Sequence, residues 1–439
     1  MKQPNILYLH SHDTGRWVEP YGHSVPTPNL RQLAAEGVLF RQAFTSSPTC
    51  SPSRAALLTG SYPHSNGQFG LVNRGFVLPD VSKHIVNVLK KAGYSSALAG
   101  IQHVAKDPST IGYDAVLKSP SRESDDVAQT AAEYLSNAPK EPFFLSVGFF
   151  DTHRVFPKHQ YADSPGSMLP PAMYPDLPEL RLDMAEFAAS ARRLDAGIGT
   201  VLRALDDAGL ASSTLVICTT DHGPAFPMMK CNLTDAGLAV MLIMRGPGGF
   251  EGGRVVDALV SQLDLMPTVC ELAGVARPDW YQGVSIMPLI RGEVEEINEV
   301  LFGEVNYHCA YEPLRSVRTG RFKYVRRFSE WNRPMLPNCD PGPTKNALMR
   351  LGWGERRLDR EELYDLIFDP TEANNLADSA DFRNQLGEMR SRLDRWMKET
   401  RDPLSDGPIP MPPEAVASSP DDIEPADIWK RVPRPQGYA

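Results

Sequence analysis

The chain has little of what would tie it to several large classes of protein. No apolar run approaches the ~20 residues that a membrane-crossing helix needs. Its opening, Met1-Lys2-Gln3-Pro4, enters an apolar run at once, without the charged, apolar and small-residue succession of a secretory leader. That points to a cytoplasmic protein, although a secreted form with its leader trimmed would look the same. Positive charge is also in deficit: 45 Lys and Arg stand against 54 Asp and Glu, for a net charge of −9. A sequence-independent grip on nucleic acid needs a basic surface, so that class is excluded, though a local basic pocket is not. The 6 cysteines are scattered without paired spacing, which argues against a disulfide framework. There is no internal repeat, and no Gly-rich phosphate loop follows a strand.

What is present is an ordinary globular composition, 42% hydrophobic and 23% charged, in a chain of 439 residues. That length predicts one large α/β domain with a smaller one after it. An apolar run at 5–9 reads as a buried strand, and a helix over 27–37 starts at Thr27 and Pro28 and ends at Gly37. Strands follow at 38–44, 94–99, 143–150, 214–219 and 238–244. Helices are predicted at 82–92, 124–135, 182–208 and 264–273, and the Pro-rich stretch 157–178 reads as a surface loop. Strands alternating with helices imply a mostly parallel sheet with helices on its faces. Beyond about 291 the pattern becomes antiparallel strands at 301–305, 315–317 and 322–328, followed by an amphipathic helix at 381–399. The expected organisation is a catalytic domain at 1–291, a C-terminal α+β subdomain at 292–401 and a Pro-rich tail at 402–439 that wraps or is disordered.

Four polar clusters fall just after predicted strands: His12-Asp13, His103, Asp151 to His153, and Asp221-His222. Ligands in such sheets bind outside the carboxyl ends of the strands, so these residues are expected to share one site. A fifth element joins them. In Thr49-Cys50-Ser51-Pro52-Ser53-Arg54, followed by Leu57-Leu58-Thr59-Gly60, a loop delivers Cys50 to the first turn of a helix that Gly60 closes. Ser51 and Ser53 are the candidate N-caps. Near the positive end of that helix, with Arg54 one turn on, the thiol is expected to have a lowered pKa and to lie where an anion binds.

The Cys50-x-Pro52-x-Arg54 spacing with Leu-Thr-Gly after it resembles the signature of the type I sulfatases, members of the alkaline phosphatase superfamily. The resemblance extends over most of the chain, including Glu362-Leu363-Tyr364-Asp365-Leu366 near the end. In that family the cysteine is oxidised to formylglycine by a maturase and hydrated to a diol. One diol oxygen attacks sulfur and releases the alcohol or amine; deprotonation of the other expels sulfate and restores the aldehyde. The resemblance implies a divalent metal, usually calcium, at His12, Asp13, Asp221 and His222, in contact with the residue at Cys50. His12 stands where the family has aspartate, and two imidazoles with two carboxylates suit manganese, zinc or iron better than calcium. His12 as a mere hydrogen-bonding neighbour is the alternative.

By the same resemblance Arg54 holds the diol or the sulfate, His103 is the base for the second hydroxyl, His153 contacts sulfate and protonates the leaving group, and Lys230 is the second sulfate-binding cation. The family's other lysine is missing, because Ile101 occupies its place; Arg154 is the nearest replacement cation. Within the family the chain looks most similar to the heparan N-sulfatases, through Thr45-Ser46, His64-x-Asn66-Gly67, Gln102-His103-Val104 and Phe226-Pro227. The implied substrate is a sulfated sugar, as O-sulfate or N-sulfamate. The alternatives are a phosphodiester or phosphonate monoester hydrolase with the same nucleophile, and a degenerate member that only binds sulfated sugars.

Overall fold

The computed structural model describes residues 3–159 and 163–434. Along the chain its strands are β1 (Asn5–Ser11), β2 (Val38–Phe40), β3 (Ala43–Phe44), β4 (Ser95–Gly100), β5 (Ala115–Leu117), β6 (Phe143–Gly148) and β7 (Thr214–Thr220). They continue as β8 (Leu242–Arg245), β9 (Arg254–Val256), β10 (Val260–Ser261), β11 (Leu301–Tyr307), β12 (Tyr311–Arg318), β13 (Phe322–Arg327) and β14 (Glu361–Asp365). The main sheet has the order β5-β4-β6-β1-β7-β8-β2-β9. Its pairings are parallel except those that β8 makes with β7 and β2. The expected mostly parallel sheet is therefore present, with one reversed strand. The expected strand at 238–244 is shorter, because Asp235–Leu238 is a turn of helix capped by the Thr234 side chain.

The strands are apolar throughout because both faces are covered, as parallel sheets require. Leu7 and Leu9 of β1 and Val216 and Cys218 of β7 pack on one side with the helices Pro28–Glu36, Ser124–Ser136 and Pro178–Asp207. Ile6, Tyr8, Leu215 and Ile217 pack on the other with Cys50–Thr59, Ile85–Lys90 and Leu265–Ala273. Each such buried side chain contributes roughly 1.5–3 kcal/mol, so the sheet is a stiff platform for the loops at its carboxyl ends.

A second sheet, β11-β12-β13-β14, is antiparallel and packs against the helix Arg383–Glu399 through Val317, Tyr324, Leu363, Leu393 and Trp396. The Pro-rich stretch at 157–178 is not purely a surface loop: Met168 and Tyr174 are buried with Phe187 and Phe226, while 160–162 lie outside the described residues. The tail wraps. Asp402 pairs with buried Arg315, the Val416 amide donates to the Arg74 carbonyl, and Lys345 Nζ donates to the Ile423 carbonyl. Residues 435–439 lie outside the described residues.

Candidate active site

The four polar clusters do fall after β1, β4, β6 and β7, which are neighbours in the sheet. The helix Cys50–Thr59 is buried at all its positions and brings Cys50 to the same place. Its caps differ from expectation. Thr49 is the N-cap residue, while Ser53 Oγ donates to the Asp221 carbonyl at 2.6 Å and Ser51 Oγ accepts from the Val72 amide at 3.1 Å. Both serines are therefore spent on fastening the helix to the loops around it. Gly60, at φ 64°, ends the helix as the sequence predicts.

Cys50 Sγ lies 3.4 Å from His222 Nε2 and 3.9 Å from Asp13 Oδ1. His12 Nδ1 is 3.1 Å from Asp221 Oδ2 and 3.4 Å from Asp13 Oδ1. His222 Nε2 is 3.4 Å from Asp13 Oδ1 and 3.7 Å from Asp221 Oδ2. Asp13 and Asp221 are braced together, for the Asp13 amide donates to Asp221 Oδ1 at 2.8 Å. The backbone pays for the arrangement: Asp13, His103 and Cys231 sit at φ 52°, 53° and 65°, a region that costs a non-glycine residue of order 1 kcal/mol. Gly223 is required beside His222, because a Cβ there would stand 1.9 Å from the Ala236 carbonyl oxygen.

The protons decide what this cluster can hold. His222 Nδ1 lies 2.9 Å from the Gly223 carbonyl oxygen, so it carries the hydrogen and donates it. Nε2 then presents a lone pair to two carboxylates and the sulfur. Acceptors face acceptors at 3.4 to 3.7 Å with no proton between them, an arrangement that a cation satisfies. His12, Asp13, Cys50 and Asp221 offer ligand atoms that all lie within 4.8 Å of one another, and His222 borders them. Bonds of ~2.1 Å in a tetrahedron put ligand atoms about 3.4 Å apart, close to the spacings seen. The donor set fits a divalent metal.

Charge around the cluster is also arranged. Burial alone would raise the Asp13 and Asp221 carboxyls. Lys230, His153 and His222 outweigh it at Asp13, and His222, Arg54 and His12 do so at Asp221, so both are held well below the ordinary carboxylate range. The Cys50 thiol goes the opposite way from expectation. Burial pushes it well above its usual value and Asp13 and Asp221 add to this, so the helix end and Arg54 do not yield a thiolate. An unmodified Cys50 is thus a poor nucleophile.

Arg54 Nη2 donates to Asp221 Oδ2 at 2.9 Å and to the Ser11 carbonyl at 2.8 Å, and Nη1 donates to His10 Nδ1 at 2.6 Å, leaving Nε without a partner among the described residues. Lys230 Nζ sits 2.8 Å from Asp13 Oδ2 and 2.9 Å from Asp340 Oδ2. His153 donates from Nδ1 to the Arg154 carbonyl, and its Nε2 is 3.9 Å from Asp13 Oδ2. Burial and Lys230 bring its pKa down to about 4. The His103 ring centre is 5.5 Å from that of His12, its Nδ1 has no partner among the described residues, and burial with His12 holds it neutral.

Arg154 does not supply the missing cation. Its Nη1 and Nη2 each donate to Asp183 at 2.8 Å, and Nε donates to the Ala225 carbonyl, so it faces away into the long helix. Asp151 also turns from the cluster, accepting from Ser124 and Ser190. Ile101 borders a cavity of about 310 Å³ together with Phe150 and Arg122. Sequence reasoning passed over three neighbours of the site: His10, which accepts from Arg54, and His308 and Asp340 from the C-terminal part. His10 could have been found from the run His10-Ser11-His12-Asp13; the other two sit in loops with no pattern.

A model of the family described as Sulfatase matches residues 4–275, and one described as N-sulphoglucosamine sulphohydrolase, C-terminal, matches 229–350. The chain belongs to the sulfatase family, hydrolases of sulfate esters and sulfamates. It is 31% identical to human N-sulphoglucosamine sulphohydrolase over 91% of each chain. It is also 31% identical to an ulvan-active sulfatase of Formosa agariphila, over 94% of this chain and 83% of that one. Among solved structures, a 2-O GAG sulfatase shares its fold with a TM-score of 0.73 at 23% identity, covering 95% of both chains. Another, in complex with its substrate D-glucosamine-2-N,6-O-disulfate, has a TM-score of 0.72 at 18% identity, covering 91% of this chain and 99% of that one. These relatives overturn the cytoplasmic placement drawn from the opening residues: enzymes of ulvan and of glycosaminoglycans meet such polymers outside the cytoplasm.

Proposed function

We propose that this sulfatase removes sulfate from a sulfated sugar of the glycosaminoglycan type, with an N-sulfated glucosamine as the first substrate to try. The observation that carries the reading is Cys50 Sγ at the meeting point of Asp13, Asp221 and His222 Nε2, with Lys230 beside them. The 31% identity to the human sulfohydrolase and the matched C-terminal region support the sulfamate. Cys50 is the precursor of formylglycine, made by a separate maturase; its raised thiol pKa is consistent with a residue that serves only once converted. His12, Asp13, Asp221 and His222 hold a divalent transition metal, since two imidazole nitrogens and two carboxylates favour one over calcium. Such a metal, when bound, supplies a Lewis acid for a sulfuryl oxygen.

The chain's own groups have separate tasks. Lys230 offsets the sulfate's charge in a water-poor site, where charge-assisted contacts count for more than at a surface. Arg54 fixes Asp221 and keeps His10 an acceptor. His103, held neutral, accepts the proton from the second hydroxyl of the hydrated residue 50. His153, whose Nδ1 hydrogen is spent on a carbonyl, keeps Nε2 for proton transfer at the leaving group. We assign catalysis to 1–291, with 292–401 closing one side of the site and the described part of the tail, 402–434, as a strap.

The test is a kinetic comparison of protein co-expressed with a maturase on N-sulfoglucosamine, an aryl sulfate and an aryl phosphodiester. The reading predicts turnover of the sulfamate or sulfate in preference to the phosphodiester. Faster phosphodiester cleavage supports the phosphohydrolase alternative. Binding of N-sulfoglucosamine without turnover of any substrate, with residue 50 shown as the aldehyde by peptide mass, supports the degenerate binder.

A further inference from the structure

Asp340 presents an electrostatic puzzle. A pocket for sulfate gains from cations, yet Asp340 places a carboxylate 2.9 Å from Lys230 Nζ. Lys230 does not need it for neutrality, because Asp13 Oδ2 already lies 2.8 Å away. Asp340 Oδ2 is buried and ion-paired with Lys230 without hydrogen-bond alignment to it, so the carboxylate keeps lone pairs for another donor.

The segment that carries Asp340 is built to hold it there. On one side Asn338 Oδ1 accepts from the Cys309 and Ala310 amides at 2.9 and 2.8 Å, tying the segment to the turn between β11 and β12. On the other, a Cβ at Gly342 would meet the Arg154 guanidinium at 2.5 Å, and the Thr344 amide donates to Asp183. Lys345 Nζ donates to the Leu336 and Cys339 carbonyls from below. His308, in the turn that Asn338 pins, is buried with Nδ1 unpartnered among the described residues, and after burial itself Lys230 and Asp340 act on it most strongly. Asp340 thus borders the cation of the sulfate pocket, and His308 lies within electrostatic reach of both.

We propose that Asp340 is a specificity-determining residue that accepts hydrogen bonds from the hydroxyl or amine donors of the sugar next to the sulfated atom. This rests on the sulfatase reading above and extends it to the leaving group. The carboxylate repels bare anions and is repaid only by a ligand that brings donors with its sulfate. A buried polar group that is paired in one complex and left unpaired in another discriminates strongly between them.

The experiment compares Asp340→Ala and Asp340→Asn with wild type, all matured, on N-sulfoglucosamine and on 4-nitrophenyl sulfate, which carries no such donors. Asp340→Ala is expected to lower kcat/KM for the sugar about 30-fold, chiefly through KM, and to raise it a few-fold for the aryl sulfate as a negative charge leaves Lys230. Asp340→Asn, which keeps an acceptor, recovers part of the sugar activity. Equal losses on both substrates would make Asp340 a holder of Lys230, and unchanged ratios would leave it no role; either overturns the proposal. If wild type turns over neither substrate, the sulfatase reading fails first. Calorimetry then decides: Asp340→Ala must weaken binding of N-sulfoglucosamine but not of inorganic sulfate, and parallel or absent effects overturn the proposal.

Discussion

Among the described residues, two buried clusters pair histidine with carboxylates at metal-ligand spacing, and they manage their protons differently. In the cluster of His12, Asp13, Cys50 and Asp221, the neighbouring His222 spends its hydrogen on a carbonyl and turns a lone pair toward the carboxylates. In the cluster of His64, Glu304 and Asp402, His64 Nδ1 bonds Glu304 Oε2, while the His64 amide and Asn306 Nδ2 donate to Oε1. Arg315 covers Asp402 through Nε and Nη2, and the Leu404 amide adds a third donor. In the second cluster protons and a guanidinium satisfy the carboxylates, with His64 Nε2 left unpartnered among the described residues. In the first, beyond the contacts from Arg54 and Lys230, His222 Nε2 still faces Asp13 and Asp221 as acceptor to acceptor, which a cation would satisfy. Spacing of ligand types alone does not separate a site from a structural pin, whereas the direction of each hydrogen does.

The largest effect expected is at the nucleophile. Cys50→Ala should lower sulfate turnover of matured protein by at least about 10³-fold, because nothing else in the cluster replaces a covalent nucleophile. Cys50→Ser should behave alike and unfold at the wild-type temperature; retained turnover in either would dissolve the comparison. The two clusters are then set against each other. Asp221→Ala should remove most activity, whereas Glu304→Gln should leave the kcat of folded protein within about threefold and lower stability by about 3 kcal/mol, since it strands buried partners. Urea unfolding beside initial rates reads both, and the reverse assignment of effects would show the roles exchanged.

Much of this was open to sequence reading for one physical reason. Strands buried on both faces must be apolar throughout, so the polar residues at their ends stand out, and His12, His103, His153 and Asp221 were visible that way. The Cys50 helix was visible through Pro52 and Gly60. What was not visible depended on contacts across the chain. Ser51 and Ser53 looked like caps because capping is local, but their partners Val72 and Asp221 are distant in sequence. Arg154 looked like a site cation until Asp183, on the long helix, took both ends of its guanidinium. The thiol of Cys50 followed burial instead of its helix end, and His308 and Asp340 lie in irregular loops that no periodicity marks.

The smallest effect expected concerns Ile101. Replacing it with lysine restores a cation beside the cavity it shares with Arg122 and should raise turnover of an aryl sulfate about three- to tenfold, the worth of one added charge-assisted contact. No gain, or a fall, would mean that Lys230 already suffices for the anion.

The cluster around Asp13 and Asp221 requires a bound metal and the one around Glu304 does not. Elemental analysis of chelator-free wild type, His222→Ala, Asp221→Ala and Glu304→Gln proteins, purified side by side, reads the difference. A single transition metal per wild-type chain is expected, retained in Glu304→Gln and lost in Asp221→Ala and His222→Ala. Metal that survives both of the latter substitutions, or that leaves with Glu304→Gln, would contradict that requirement.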